Sequence, residues 1–326
     1  MHTDDSFLLA IEAEPADRVR RLVYADWLDD RHDPRGELVR VEEEMRALPV
    51  FADRFWELKP RRNELRAIAG GDWCARMRYG TECEPVFRHG IPDGWRDRWR
   101  LIREFTERWH RIPMPDVGGR ASDIAEAEAS IGQTFPPSLR EWIAFGVEVR
   151  GLSRTFHTAF GIEPFPFDEH PIVCTHAQYS GSSWSGGGVR FVDLSISDPP
   201  IYWAHSDIEG GPTRSQIAIS ENAFWNVFHG SSDECHRFQR LNAPEYERLV
   251  ADVCATFPVC VNWADVTIYE MTDVFVAAKG IDDVDELGRV AIKRAHGRTV
   301  ESLPAFLRPL FPPLLVAYGA PDNFPF

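Results

Sequence analysis

The sequence predicts an α+β protein, with a helical bundle at the N-terminus followed by an antiparallel sheet packed with helices. Three observations carry that reading. Apolar residues over positions 1–70 recur at three- and four-residue intervals, the period of one helix face. Short β-branched and aromatic runs between 172 and 219 are separated by turn residues, which is the pattern of a meander. The chain is 326 residues long, more than one small core organises, so two or three domains are expected.

Taken in order, Phe7–Ile11 opens the bundle as a short turn. Val19, Leu22, Val23 and Trp27 then mark an apolar stripe, which places Trp27 in a core. Asp33 before Pro34 signals a helix start, because the carboxylate can cap free N–H groups and Pro tolerates the first helical position. Leu38, Val41, Met45 and Leu48 share the next face. Phe55, Leu58, Leu65 and Ile68 share a third, which ends at Gly70-Gly71. Residues 71–116 read as a bridge carrying one amphipathic helix. In that helix Trp95, Trp99, Ile102 and Trp109 gather on one side, with Arg96, Arg100, Arg103 and Arg111 mostly opposite. Asp97, Glu104 and Glu107 dilute the basic face, so the helix docks its tryptophans rather than binding nucleic acid or a membrane surface.

Beyond the bridge, Asp123 and Glu126 have capping-box spacing, and Ile124, Ala127 and Ile131 form a stripe that stops at Gly132. Phe135-Pro136-Pro137 turns the chain into a helix with Leu139, Trp142 and Ile143. Strands are expected at 172–179, 189–194, 200–205 and 216–219. Ser220 then caps a helix, and a further helix carries Tyr246, Leu249, Val250, Val253 and Phe257. Val274-Phe275-Val276 reads as a strand, and Val284, Leu287, Ala291, Ile292 and Ala295 as an amphipathic helix. The Pro-rich end is apolar and is expected to fold back onto the body. The segments are therefore 1–70, 71–116, 117–257 and 258–326.

Two stretches resemble known families. Tyr24-Ala25-Asp26-Trp27-Leu28 followed by Asp33-Pro34-Arg35-Gly36-Glu37 resembles the N-terminal repeat-companion module expanded in planctomycete bacteria. That family has no assigned activity, so the resemblance implies bacterial lineage and architecture rather than chemistry. The helix ending at Ile131-Gly132, the Phe135-Pro136 turn and the second helix resemble the opening of the SUKH superfamily. This superfamily includes a fungal cell-wall-synthesis regulator and many bacterial toxin-immunity proteins. The strand with Phe191-Val192-Asp193-Leu194, the Ile201-Tyr202-Trp203 strand and Ser220 before Ala223-Phe224-Trp225 continue the likeness over 117–257. It implies a SUKH-like domain that binds a protein partner through its sheet and loops.

The chemistry points the same way. Asp26, Asp29, Asp30 and Asp33, with His32 and Glu37 nearby, lack the alternation and central glycine of a calcium loop, so they read as a solvated helix end with a cap. Sparse cysteine without any C-x-x-C pair reads as reduced thiols, and Cys254 falls on an apolar helical stripe. His157, His170, His176 and His205 show no helical pairing for a metal. A Ser/His/Asp hydrolase can be assembled on paper from Ser185, His205 and Asp193 or Asp207, but only geometry gives such a set meaning. Gly181–Gly188 fits neither a nucleophile elbow nor a phosphate loop and reads as a flexible hairpin loop. Tyr179, Trp184 and Arg190, which flank or occupy it, are the candidate partner-binding residues.

Net charge is −15, and it is uneven. Residues 1–110 hold 20 Lys+Arg against 23 Asp+Glu, and the remainder 16 against 28. That acidity repels a phosphate backbone and suits a basic protein such as a toxin domain. No catalytic residue, cofactor or metal is expected. No apolar run spans a membrane and no signal peptide is seen, so the cytoplasm is the expected compartment. The expectation is a non-catalytic protein-binding module, with a hydrolase in the sheet cleft as the alternative.

Overall fold

Thr3 starts the first helix, its hydroxyl accepting from the Ser6 N–H while Ser6 Oγ accepts from the Thr3 N–H. The computed structural model describes residues 3–79, 85–112, 120–149, 162–164, 171–180, 183–205, 213–229, 236–263, 266–280, 287–294 and 299–311. They hold ten α-helices and two five-stranded antiparallel sheets, an α+β fold with a helical N-terminal region. The chain divides into two compact units, Met1–Ser231 and Ser232–Phe326.

The first unit begins with α1 (Asp4–Ala13), α2 (Arg18–Asp29), α3 (Arg35–Ala47), α4 (Asp53–Ala69) and α5 (Gly71–Arg76). Asp17 caps α2, accepting from Val19 N at 2.9 Å and Arg20 N at 3.3 Å. Asp33 Oδ1 accepts from Arg35 N at 3.0 Å, as the Asp-Pro start of α3 predicts. Leu38, Val41 and Met45 are buried on α3. Gly70, at φ +83°, ends α4. These helices share one apolar cluster running from Leu8 to Tyr79.

Two faces differ from the sequence reading. On α2 the buried residues are Arg21, Tyr24, Ala25 and Leu28, while Val19 and Val23 are 68% and 50% exposed. The stripe is turned by one residue, because the arginine and tyrosine find polar partners inside. Trp27 is only half-buried against the cluster. Ile68, at the last turn of α4, is also exposed, one turn past the cluster residue Leu65.

Within the expected bridge, the described residues contribute to core. Trp73, Cys74, Met77 and Tyr79 complete the N-terminal cluster. Helix α6 (Trp95–His110) buries Trp99, Leu101, Ile102, Arg103, Phe105 and Trp109, more of its circumference than one stripe. It packs on α8 (Pro137–Val149) and α9 (Ile219–His229), with Trp99 against Phe145 and Phe105 against Phe224. Helix α7 (Ala121–Ile131) begins before Asp123, so no capping box forms. Its Ile124, Ala127 and Ile131 are buried and Gly132 ends it at φ +71°.

The first sheet is a meander: β1 (Ile162–Pro164), β2 (Pro171–Ser180), β3 (Ser183–Arg190), β4 (Pro200–His205) and β5 (Thr213–Ala218), in that order. The expected 189–194 strand ends at Arg190, and Phe191–Asp193 makes a 3-10 turn. Residue 219 belongs to α9 rather than to a strand. Asp198 joins the helices below. It accepts from Ser138 Oγ at 2.5 Å, Ser220 Oγ at 2.6 Å, Ser220 N at 3.1 Å and Arg98 Nη2 at 3.0 Å. The start of α9 is thus capped from outside by Asp198, and Ser220 is a donor there rather than the cap.

The second unit holds β6 (His236–Asn242), α10 (Ala243–Thr256), β7 (Val259–Trp263), β8 (Val266–Glu270), β9 (Val274–Lys279) and β10 (Leu287–Arg294). Strand order is β6-β10-β9-β8-β7. The 117–257 stretch therefore straddles the division, since α10 packs on β6 and β10. Leu249, Val253 and Phe257 of α10 are buried as expected, while Cys254 is exposed rather than core. Residues 287–294 form a strand, not a helix: paired on both edges, they bury Val290, Ala291 and Ile292 together. Leu303, Leu307 and Phe311 return to this core, as expected of the apolar end. Residues 312–326 lie outside the described residues.

Candidate functional site

The motif that opens the chain proves to be a scaffold of side-chain pairs. Arg35 grips Asp33 at 2.6–3.0 Å and reaches Asp4 at 3.2 Å. Tyr24 donates to Asp4 and accepts from Trp73 Nε1 at 3.1 Å. Burial, then the bond to Asp4, pushes the Tyr24 phenol well above its usual range. The Arg35 bonds hold the Asp33 carboxyl below the ordinary carboxylate range. Arg40 binds Asp26 at 2.5 Å and Asp29 at 2.6 Å. The carboxylates read as a solvated helix end are thus largely engaged by arginine. At Gly36 an added Cβ would lie 2.9 Å from Ala25 O, so α2 and α3 meet there with no room for a side chain.

Arg21 is fully buried. Its guanidinium donates to Pro15 O at 2.9 and 3.1 Å and to Met77 O at 3.0 Å, with Glu43 Oε1 at 3.7 Å. A buried charge so placed is a clamp between α2 and the end of α5, since its removal would strand both carbonyls and a carboxylate.

The candidate partner-binding residues fall on the β2–β3 hairpin. Tyr179 pairs with Trp184 in the register, next to the turn. Arg190 ends β3, with its guanidinium carbon 4.2 Å from the centre of the Tyr202 ring. The glycine-rich stretch is strand rather than flexible loop. Gly186, Gly187 and Gly188 pair with Ala177, His176 and Cys174 on one edge and with Ala204, Trp203 and Tyr202 on the other. Two paired edges hold in place a backbone whose side chains contribute no strand preference. Trp203, on the neighbouring strand, is 38% exposed.

Of the hydrolase set, Ser185 and His205 are opposite each other in the β3–β4 register. Asp193 lies in the 3-10 turn beyond β3. Asp207, and likewise His157 and His170, lie outside the described residues. Among the described residues no group of three or more His, Cys, Asp or Glu side chains could hold a metal ion. Also among them, no helix is long and apolar enough to cross a membrane.

One feature escaped the sequence reading. A cleft partly open to solvent lies among α3, α4, Tyr79, residues 85–89 and α6. Arginines from four separate stretches line it: Arg46, Arg62, Arg66, Arg88 and Arg108. No local motif could reveal it, since its lining converges only in the fold. The one available signal was the lower acidity of residues 1–110. No family model, no curated protein and no solved structure matches the chain.

Proposed function

We propose that this chain is a non-catalytic protein-binding protein of SUKH type, following an N-terminal repeat-companion module of planctomycete type. The observation that carries the reading is the order of elements in the first unit: α7, the Phe135-Pro136 turn, α8, an antiparallel meander and α9. The β2–β3 hairpin, with Tyr179, Trp184 and Arg190, is part of its partner-contacting face. The partner is a basic protein such as a toxin domain, because residues beyond 110 carry 28 Asp+Glu against 16 Lys+Arg. The compartment is the cytoplasm, and the role is immunity or regulation. The test is affinity capture from a lysate, followed by titration of the purified partner. The wild type is expected to bind it in a salt-sensitive manner, and Trp184→Ala to weaken it by about 2 kcal/mol, the size of a hot spot. Unchanged affinity in a folded Trp184→Ala variant would remove the hairpin from the interface. Capture of no partner would remove the binding function.

The Ser185–His205 register favours one alternative, a hydrolase in the sheet. A fluorophosphonate that labels the wild type and not Ser185→Ala would support it. No labelling would reject it.

A further inference from the structure

The arginine-lined cleft stands apart from the sheet and its hairpin. In a chain of net charge −15, its lining sums to five arginines and one histidine against two glutamates, Glu42 and Glu104. Those glutamates are already engaged: Arg66 Nε donates to Glu42 at 2.5 Å and Lys59 Nζ to Glu104 at 2.7 Å. Burial works to raise the Glu104 carboxyl, but Lys59, Arg62 and Arg108 together hold it below the usual range. The local field is therefore positive beyond what the internal carboxylates neutralise.

Two arginines keep their donors largely unspent. Among the described residues Arg46 makes no hydrogen bond, and its nearest carboxylate oxygen is Glu43 Oε1 at 3.6 Å. Among the described residues Arg62 bonds only the neighbouring Asn63, at 3.3 and 3.4 Å. A guanidinium offers five N–H donors in a planar fork suited to carboxylate and phosphate. Tyr79 also lines the cleft. It is 6% exposed, and among the described residues its buried hydroxyl has no hydrogen-bond partner. The rest of the lining is apolar, with Leu48, Val50, Phe55 and Val86 among it. Apolar side chains set beside convergent charged groups are the combination that small-molecule sites use to bury and to orient a ligand.

We propose that this cleft binds a small amphiphilic anion, its phosphate or carboxylate head on Arg46 and Arg62 and its apolar part along Leu48, Val50 and Phe55. Neither half of the ligand suffices alone: the head supplies orientation and the tail the buried area.

The test is calorimetric titration of the full chain with n-octyl phosphate, octanoate, n-octanol and inorganic phosphate. One of the two amphiphilic anions is expected to bind saturably at one site, and which one identifies the head group. Octanol and inorganic phosphate are each expected to bind at least about tenfold more weakly. Arg46→Gln with Arg62→Gln should weaken the anion at least about tenfold, and higher ionic strength should weaken it further. Arg54→Gln, which removes an exposed pair with Glu44, is the control and should change nothing. Octanol binding as tightly as the anions, or affinity unchanged in a folded double variant, would overturn the assignment. So would the absence of saturable binding by either anion.

Discussion

The N-terminal helices and the second unit each close around one apolar cluster, yet they are held in register by different means. Between the helices the register is set by side chains that span the sequence: Arg21 to Met77, Trp73 to Tyr24, Arg61 to Glu37 and Arg66 to Glu42. In the second unit it is set by backbone ladders from β6 to β10, β10 to β9, β9 to β8 and β8 to β7. A helix has spent its backbone hydrogen bonds internally, so only specific side chains can fix one helix against another. A sheet fixes its neighbours with atoms that every residue carries. The first arrangement writes itself into a recognisable run of residues. The second does so only weakly.

That contrast is sharpest at Arg21. Arg21→Ala should destabilise the helical module by about 3–5 kcal/mol, leaving Pro15 O, Met77 O and Glu43 without their buried cation. Chemical denaturation measures it, and Arg21→Ala with Glu43→Ala should cost less than the two single losses added. An additive double variant would show that the pair is not coupled.

The two tight glycines compare the regions directly. Gly36→Ala brings a Cβ to 2.2 Å from Asp29 Oδ1 and to 2.9 Å from the Ala25 carbonyl, a backbone atom, while Gly288→Ala brings one to 2.1 Å from the Tyr246 ring alone. Each should cost about 1–3 kcal/mol. Only the sheet variant should be rescued by trimming its neighbour, as Gly288→Ala with Tyr246→Ala, because no substitution removes a carbonyl. Rescue is read as recovery of the denaturation midpoint relative to Tyr246→Ala alone.

Trp27→Ala should cost about 1–2 kcal/mol, less than a core tryptophan. Its ring is half-buried between the Phe7 and Tyr24 rings and the Arg31 guanidinium, 3.8 Å from its centre. A loss of 3 kcal/mol or more would return it to the core.

Acid should distinguish the regions too. Asp33 is held by Arg35 below its ordinary value of 3.8, so the folded state binds that proton less readily than the unfolded chain. The associated stability is fully present above about pH 4 and is lost as pH falls through the lowered range. Asp33→Asn should flatten the acid limb of a midpoint-versus-pH curve. An unaltered limb would show that Asp33 does not contribute. The smallest effect belongs to Arg40→Ala, where exposed pairs with Asp26 and Asp29 should yield less than about 1 kcal/mol.

The same physics explains what could be read in advance. Asp33-Pro34, Gly70, Gly132 and the face of Leu38, Val41 and Met45 were legible, because caps and regular stripes are local. On α2 hydrophobicity alone misled: Arg21 and Tyr24 occupy the interior since their polar ends meet Met77 O and Asp4 there. Over 287–294 a strand buried at consecutive positions has no period of two, so its apolar residues imitate a helix face. At Gly186–Gly188 composition says loop, and only the partners on both edges make it strand. Tyr179, Trp184 and Arg190 fall on the strands of one hairpin, but the arginine cleft was invisible, its lining being scattered over more than sixty positions of chain.

The Asp198 junction has a consequence for how this chain can change over time. Ser138 N donates to Ser197 O at 3.0 Å and Ser138 Oγ to Asp198, so positions 138 and 197–198 are tied wherever the chain travels in between. That excursion contains β1, β2 and β3, including the hairpin. Doubling the length of a closed loop costs only about 0.6 kcal/mol. The connections between these strands can therefore change length while Arg98, Ser138 and Ser220 keep their places and β3 keeps its pairing with β4, so variation is confined to the tips of a constant mount.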